Sequence, residues 1–242
     1  MSAPAAAPAI EARGVEKWYG PLPAVRGVSF ELRAGEFLAL FGPNGAGKTT
    51  LLKILAGIVR PTRGEVRVAG EAVRGGDGEW RRRIGVLSHQ TFLYAGLTAA
   101  ENLEFYARLY TLDRRRERVE AGLRDVGLWE RRGDRVRGFS RGMQQRLALA
   151  RTLLHDPRVV LLDEPYTGLD PHAAAMLRGT LERLRDGTRT VVLVTHNLSR
   201  GLELADRVVV QAGGRWVSDE PRAAVDAARW ERTYTERVAG AA

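Results

Sequence analysis

Gly42-Pro43-Asn44-Gly45-Ala46-Gly47-Lys48-Thr49-Thr50 follows the apolar run Phe37-Leu38-Ala39-Leu40-Phe41 and opens a helix-like segment. The spacing matches G-x-x-x-x-G-K-[ST]. In that pattern consecutive backbone N–H groups and a helix N-terminus surround the phosphates, and a lysine adds a mobile charge. A plain structural turn is the alternative, but the buried strand expected directly upstream favours the phosphate cradle. Alone, the loop supports nucleotide binding and leaves kinase, GTPase and motor uses open.

Length and composition set broad bounds. The 242 residues suit one large α/β domain, or one domain with a subdomain. Cysteine is absent, which excludes disulfide staples and thiolate metal sites and agrees with a reducing compartment. No apolar run reaches the roughly 18 residues that cross a bilayer. Met1 to Ala9, an Ala/Pro tract without a basic n-region, reads as a disordered leader rather than a signal sequence. The expected location is the cytoplasm. The net charge of +9 comes almost wholly from arginine, since the lysines are Lys17, Lys48 and Lys53. Such a balance favours nucleotides, nucleic acid or lipid headgroups as partners without choosing among them.

Along the chain, Ile10 to Leu32 predicts two short strand-like pieces, the second at Val28-Ser29-Phe30-Glu31-Leu32. Thr50 to Ile58 predicts a helix with Leu51, Leu52, Leu55 and Ile58 on one side. Gly64 to Val68 alternates like a strand, Gly75-Gly76-Asp77-Gly78 reads as a flexible loop, and Ile84 to Leu87 as a further strand. Helical periodicity then dominates to about Leu154, with Glu101–Tyr110, Arg114–Val126 and Gly142–Leu154 as the expected helices of a subdomain. Buried strands return at Val159–Leu162 and Val191–Val194, separated by a helix over Pro171–Arg185, and this alternation implies a parallel sheet with helices on its faces. Ala223, Ala227, Trp230, Tyr234 and Val238 fall at helical spacing and predict a stripe that packs on the domain, with partner docking as the alternative.

Three strand ends carry chemistry. Asp163 and Glu164 follow a buried strand at the end where ligands of parallel sheets bind. Asp163 suits Mg²⁺, together with Thr49, while Glu164 is placed to orient or deprotonate a water near a γ-phosphate. His196 ends the second such strand and is a candidate for the same phosphate or its attacking water; a satisfied loop histidine is the alternative. Gln90 occupies a similar position after Ile84–Leu87, with a neutral amide able to sense metal or water. In Phe139-Ser140-Arg141-Gly142-Met143-Gln144-Gln145-Arg146, Ser140 is placed to cap a helix, and its hydroxyl with the N–H groups near Gly142 makes a second anion site.

Together these residues resemble the nucleotide-binding subunit of ATP-binding cassette transporters, over roughly Ile10 to Pro221. Walker A is Gly42 to Thr49, the Q-loop glutamine Gln90, the signature Ser140-Arg141-Gly142-Met143-Gln144, Walker B Val159 to Asp163 with Glu164 following, the D-loop Gly168-Leu169-Asp170, and the switch histidine His196. The resemblance implies an α/β fold: a P-loop NTPase core with a parallel-rich sheet, an N-terminal antiparallel β subdomain, and a helical subdomain at about 91–154. It also implies an ATPase domain over 10–221 and a C-terminal helical extension over 222–242.

For the chemistry, the resemblance implies ATP with Mg²⁺, the metal near Thr49, Gln90 and Asp163, with Glu164 and His196 catalytic. The nucleotide would contact Tyr19 by stacking on adenine, Gly42, Pro43, Asn44, Gly45, Ala46, Gly47, Lys48, Thr49 and Thr50 of the loop, and Gln90, Ser140, Gly142 and Asp170. The implied assembly is a homodimer, with the loop of one copy facing Ser140 and Gly142 of the other, docked on separate transmembrane permease subunits at the cytoplasmic membrane face. The signature departs from the usual Leu-Ser-Gly-Gly-Gln. Read with Leu153–Pro157, Tyr166–Asp170 and Thr195–Leu202, the variant looks like the haem-exporter ATPase of cytochrome c maturation, the ATPase of another exporter being the alternative.

A soluble cassette ATPase acting on nucleic acid draws its support from the positive charge. Such proteins usually carry two cassettes or long coiled-coil insertions, neither of which is present here, so no specific nucleic-acid partner is expected. The arginine groups at Arg114-Arg115-Arg116 and Arg131-Arg132 read as a solvated face. A regulatory binder that never hydrolyses ATP is disfavoured by the presence of both Glu164 and His196.

Overall fold

The computed structural model describes residues 7–74, 78–88 and 90–240; most of the expected leader (1–6) and most of the expected flexible loop (75–77) lie outside them. Ile10–Tyr19 (β1) and Leu22–Leu32 (β2) form an antiparallel hairpin, longer than the two short pieces expected. Gly14 and Gly27 take positive φ, and the pairing shifts register between Ala12 and Val15. These bulges break the period-two pattern without ending the ladder, so alternation undercounts the strands.

Phe37–Phe41 (β3) leads through the glycine loop into Lys48–Leu55 (α1). Arg63–Val68 (β4) then returns to pair with β1, and Glu71–Ala72 (β5) completes a four-stranded antiparallel sheet in the order β2-β1-β4-β5. The helix α1 stops short of Ile58. Gly57 takes a φ of 64°, and Trp80 packs so closely that a Cβ there would lie 2.1 Å from its ring. The chain turns at that point, leaving Ile58 exposed instead of beside Leu51, Leu52 and Leu55.

After Ile84–Leu87 (β6) come Ala99–Leu109 (α2), Arg115–Asp125 (α3) and Arg141–Leu153 (α4), one or two residues from the expected bounds. Thr98 and Glu101 cap α2 reciprocally. The three helices enclose an apolar cluster of their own, including Leu103, Leu123, Phe139 and Leu147.

Val159–Asp163 (β7), Pro171–Arg183 (α5), Thr190–Val194 (β8), Leu198–Leu204 (α6), Arg207–Ala212 (β9), Arg215–Pro221 (β10) and Trp230–Ala239 (α7) complete the described elements. The larger sheet runs β10-β9-β3-β8-β7-β6, parallel except for β10. One apolar cluster joins it to α1 and the four-stranded sheet, and another joins its opposite side to α4 and α5. Because both faces are covered, β3, β7 and β8 are buried throughout and read as unbroken apolar runs.

The terminal stripe is shorter than its periodicity. Ala223 lies in a single 3-10 turn and Ala227 in a loop turn, so Trp230, Tyr234 and Val238 alone share α7. They pack on the domain with Phe41, Leu202 and Val208, and Trp230 meets Phe41 edge-on at 5.7 Å. Trp230→Ala should lower stability by about 3–4 kcal/mol, or roughly 6–16 °C in Tm at this chain length. Ile58→Ala should change it by less than about 0.5 kcal/mol. Thermal denaturation of both variants checks the pair, and equal shifts would contradict the packing of α7.

Candidate functional site

The phosphate-loop candidate begins where β3 ends. Gly47 precedes α1 with a φ of 93°, and a Cβ there would meet the Ala24 carbonyl oxygen at 1.9 Å, so only glycine fits both the conformation and the space. The next residue, Lys48, is buried and donates from Nζ to the carbonyl oxygens of Gly42 at 2.7 Å and Pro43 at 2.9 Å. Burial pushes its ammonium pKa down, while the Glu164 and Asp163 carboxylates act in the opposite direction.

Parallel pairing carries the other groups to the same sheet edge. Leu40 of β3 pairs with Val194 of β8, and Val194 with Asp163 of β7. Asp163 is buried, and its Oδ1 accepts from Thr49 Oγ1 at 3.1 Å, across 114 positions of sequence. Glu164 has a φ of 51°, uncommon for a residue with a Cβ, and donates its N–H to the Val194 carbonyl at 2.9 Å. Its Oε2 lies 2.8 Å from Nδ1 of His196. His196 itself is exposed, between the end of β8 and Asn197, which caps α6 through the Arg200 N–H.

Tyr19, half exposed at the end of the hairpin, faces the same cleft of about 550 Å³ as Asn44 through Thr50 and Glu164. Lys17 Nζ stands 5.2 Å from its ring centroid. An adjoining cleft of about 510 Å³, also bordered by Glu164, contains exposed Gln90 with Arg141 and Gln144.

Ser140, Gly142 and Asp170 lie at the starts of α4 and α5. Ser140 Oγ accepts from the Met143 N–H at 3.2 Å, as a capping residue should. A Cβ on Gly142 would lie 2.7 Å from the Cβ of Ala173, so the two helices meet there. Asp170 caps α5 through the Ala173 N–H at 2.8 Å, with Pro171 at the first helical position. Arg141 lies across Gly168, within 2.6 Å of where a Cβ would stand.

Sequence reasoning also missed Gln211. This fully buried glutamine of β9 reaches the loop from the strand flanking β3, and Nε2 donates to the Ala46 carbonyl at 2.8 Å. An isolated polar residue in an apolar strand is the only signal that could have found it.

Comparison with known proteins agrees with this geometry. A family model described as ABC transporter matches residues 25–167. Phosphonates import ATP-binding protein PhnC of Anaeromyxobacter dehalogenans is 40% identical over 238 residues, covering 93% of this chain and 48% of that protein. Nod factor export ATP-binding protein I of Rhizobium meliloti is 38% identical over 221 residues, covering 90% of this chain and 66% of that protein. ABC transporter ATP-binding protein NatA of Bacillus subtilis is 38% identical over 194 residues, 79% of each chain. The chain thus spans about half of the first relative and about two thirds of the second. The solved dimeric, post-hydrolysis structure of the ATP-binding cassette MJ0796 with ADP and Pi superposes with a TM-score of 0.79 at 29% identity, covering 88% of this chain and 98% of that one. With the family model matching more than half of its length and the glycine loop, strand-end carboxylates and histidine on one edge, the chain belongs to the ABC transporter family and carries its ATP-binding cassette ATPase domain.

Proposed function

We propose that this chain is the ATP-binding and hydrolysing subunit of a transporter whose membrane-spanning parts are separate chains. The observation that carries the reading is the convergence of Lys48, Thr49, Asp163, Glu164 and His196 around one cleft. Among the described residues, no helix is long and apolar enough to cross a membrane. We assign docking at the cytoplasmic membrane face to separate permease subunits. Phe92, which lines the same cleft as Gln90, and Tyr94, whose ring meets Phe105 edge-on at 4.9 Å, are exposed with Phe105 and offer such subunits an apolar seat.

The chemistry follows from the donors and acceptors. Two of the three Lys48 N–H groups are engaged by loop carbonyls, leaving the third for a phosphate oxygen. Backbone N–H groups of the loop and of the first turn of α1 face the same charge. Glu164 accepts a proton from water as the water oxygen attacks the γ-phosphorus, and the bond to the β–γ bridging oxygen breaks to release ADP and phosphate. His196, held against Oε2 of Glu164, orients that carboxylate and the water.

Thr49 and Asp163 offer paired hard oxygen ligands 3.1 Å apart, which suit Mg²⁺, with Gln90 contributing from the adjoining cleft. Mg²⁺ held by these residues would supply positive charge against the phosphate oxygens.

Ser140 and Gly142 sit at the start of α4, apart from the residues bordering the Lys48 cleft. A second copy that brings them onto the γ-phosphate completes the site, and ATP then closes a homodimer that hydrolysis reopens. The dimeric MJ0796 cassette supports this arrangement. We assign the direction as export, in keeping with the Nod factor relatives, although the phosphonate relative is an importer by name. Haem as cargo rests on the four segments that suggested it, and none of the relatives named above mentions haem. The relatives named above do not favour the nucleic-acid alternative, and a groove of about 1000 Å³ beside α2 and α3 sets five arginines against five carboxylates, so its charge is balanced.

Lys48→Ala should weaken MgATP binding about 10- to 100-fold, the worth of a hydrogen bond to a charged group, as read by fluorescent-nucleotide titration. Glu164→Gln should keep ATP binding, lower turnover at least ~100-fold and hold a dimer detectable by light scattering with ATP. A chain that stays monomeric at saturating ATP would sink the shared-site mechanism. RNA and DNA should bind weakly, without sequence preference, and be released by physiological salt in a titration.

A further inference from the structure

We infer that Gln211 is a positioning residue for nucleotide binding: its side-chain amide fixes the Ala46–Gly47 peptide so that the Gly47 N–H faces the phosphates. The inference rests on the nucleotide-binding reading above and concerns a residue outside the glycine loop and the strand ends that carry that reading.

The geometry begins in β9. Phe41 pairs with Val210, so the next residue, Gln211, runs alongside the first residue of the loop. Its backbone oxygen would stand 2.1 Å from a Cβ on Gly42, and its Nε2 would stand 2.9 Å from a Cβ on Gly47. The loop is thus pressed against Gln211 by both main chain and side chain. Neighbouring Val208, Val209, Val210 and Ala212 are buried and apolar, yet at this position the strand keeps a fully buried amide.

Peptide planarity turns one hydrogen bond into an orientation. In a trans peptide the C=O and the following N–H point in opposite directions. Nε2 draws the Ala46 carbonyl toward β9 at 2.8 Å, so the Gly47 N–H is directed away from β9. Gly47 borders the cleft that holds Lys48 and Thr49, and the N–H groups of such a loop are what cradle the phosphates. If the peptide flipped, a carbonyl oxygen would face the phosphates in place of a donor. Glycine at position 47 makes that flip sterically cheap, which is why an external restraint is needed.

The assignment of the amide is forced by its partner. A carbonyl only accepts, so Nε2 rather than Oε1 must face Ala46. Oε1 is then buried without a hydrogen-bond partner among the described residues. A leucine would avoid that cost, so keeping the amide points to the bond that its other end makes.

The test compares Gln211→Leu and Gln211→Glu with the unaltered full-length chain by fluorescent-nucleotide titration with MgATP and MgADP. Gln211→Leu should lose affinity for both nucleotides alike, about 5- to 20-fold, because the loop donors that it disorders serve the α- and β-phosphates common to both. Gln211→Glu should match that loss at pH 8, where a carboxylate faces the Ala46 carbonyl. It should recover most of the affinity at pH 5.5, where a buried carboxyl regains a proton and donates in the place of Nε2. Each value is taken relative to the unaltered chain at the same pH, which removes the titration of the nucleotide itself.

Equal losses for Gln211→Glu at both pH values would reduce Gln211 to a packing residue and overturn the proposal, as would unchanged affinities in a folded Gln211→Leu chain. If Gln211→Leu fails to fold, the pH comparison within Gln211→Glu decides. Failure of the unaltered chain to bind MgATP would instead overturn the nucleotide-binding reading.

Discussion

Leu40 of β3 lies in register with Val194 of β8, and Val194 with Asp163 of β7, so three parallel strands end along one line. Everything in the site hangs from that register. The glycine loop leaves the end of β3, Asp163 and Glu164 stand at the end of β7, and His196 stands just past β8. A shift of one residue in β7 would turn the Asp163 side chain to the opposite face of the sheet and away from Thr49. The register is held by burial on both faces, since Leu38, Leu161 and Val192 pack toward α1 while Phe37, Val160 and Val191 pack toward α4 and α5.

Charge placement adds a second constraint. An unpaired buried ammonium costs several kcal/mol, so Lys48 is tenable only with partners. It finds two carbonyls within its own loop and two carboxylates, Asp163 at the end of β7 and Glu164 just after it, which meet α1 only in the folded chain. The positive φ of Glu164 serves the same arrangement. It takes the side chain out of the line of β7 and sets it against His196, while Asp163, one residue earlier, stays on Thr49.

Much of this was legible beforehand. The apolar runs of β3, β7 and β8 could be read because both faces of a parallel sheet are buried, and the helices α2 to α4 because their stripes face a common cluster. The misreadings have local causes. Bulges at Gly14 and Gly27 hid the length of the hairpin. Trp80, distant in sequence, ended α1 before Ile58 by packing on Gly57. The spacing of Ala223 and Ala227 continued a helical period into turns that the backbone does not extend as a helix. Asp170, expected near the nucleotide, in addition caps α5.

The sequence by itself determined the candidate phosphate loop, because its residues are contiguous and each acts locally, the glycines through left-handed conformations, the lysine through its charge and the helix start through its N–H groups. It also determined which residue types stand at the ends of the buried strands. Tertiary structure alone decided which of these meet. The contact of Thr49 with Asp163 spans 114 positions, and that of Ala46 with Gln211 spans 165. Both depend on strand order in the sheet, which no local pattern encodes, because neighbours in a parallel sheet are joined through crossovers rather than along the chain.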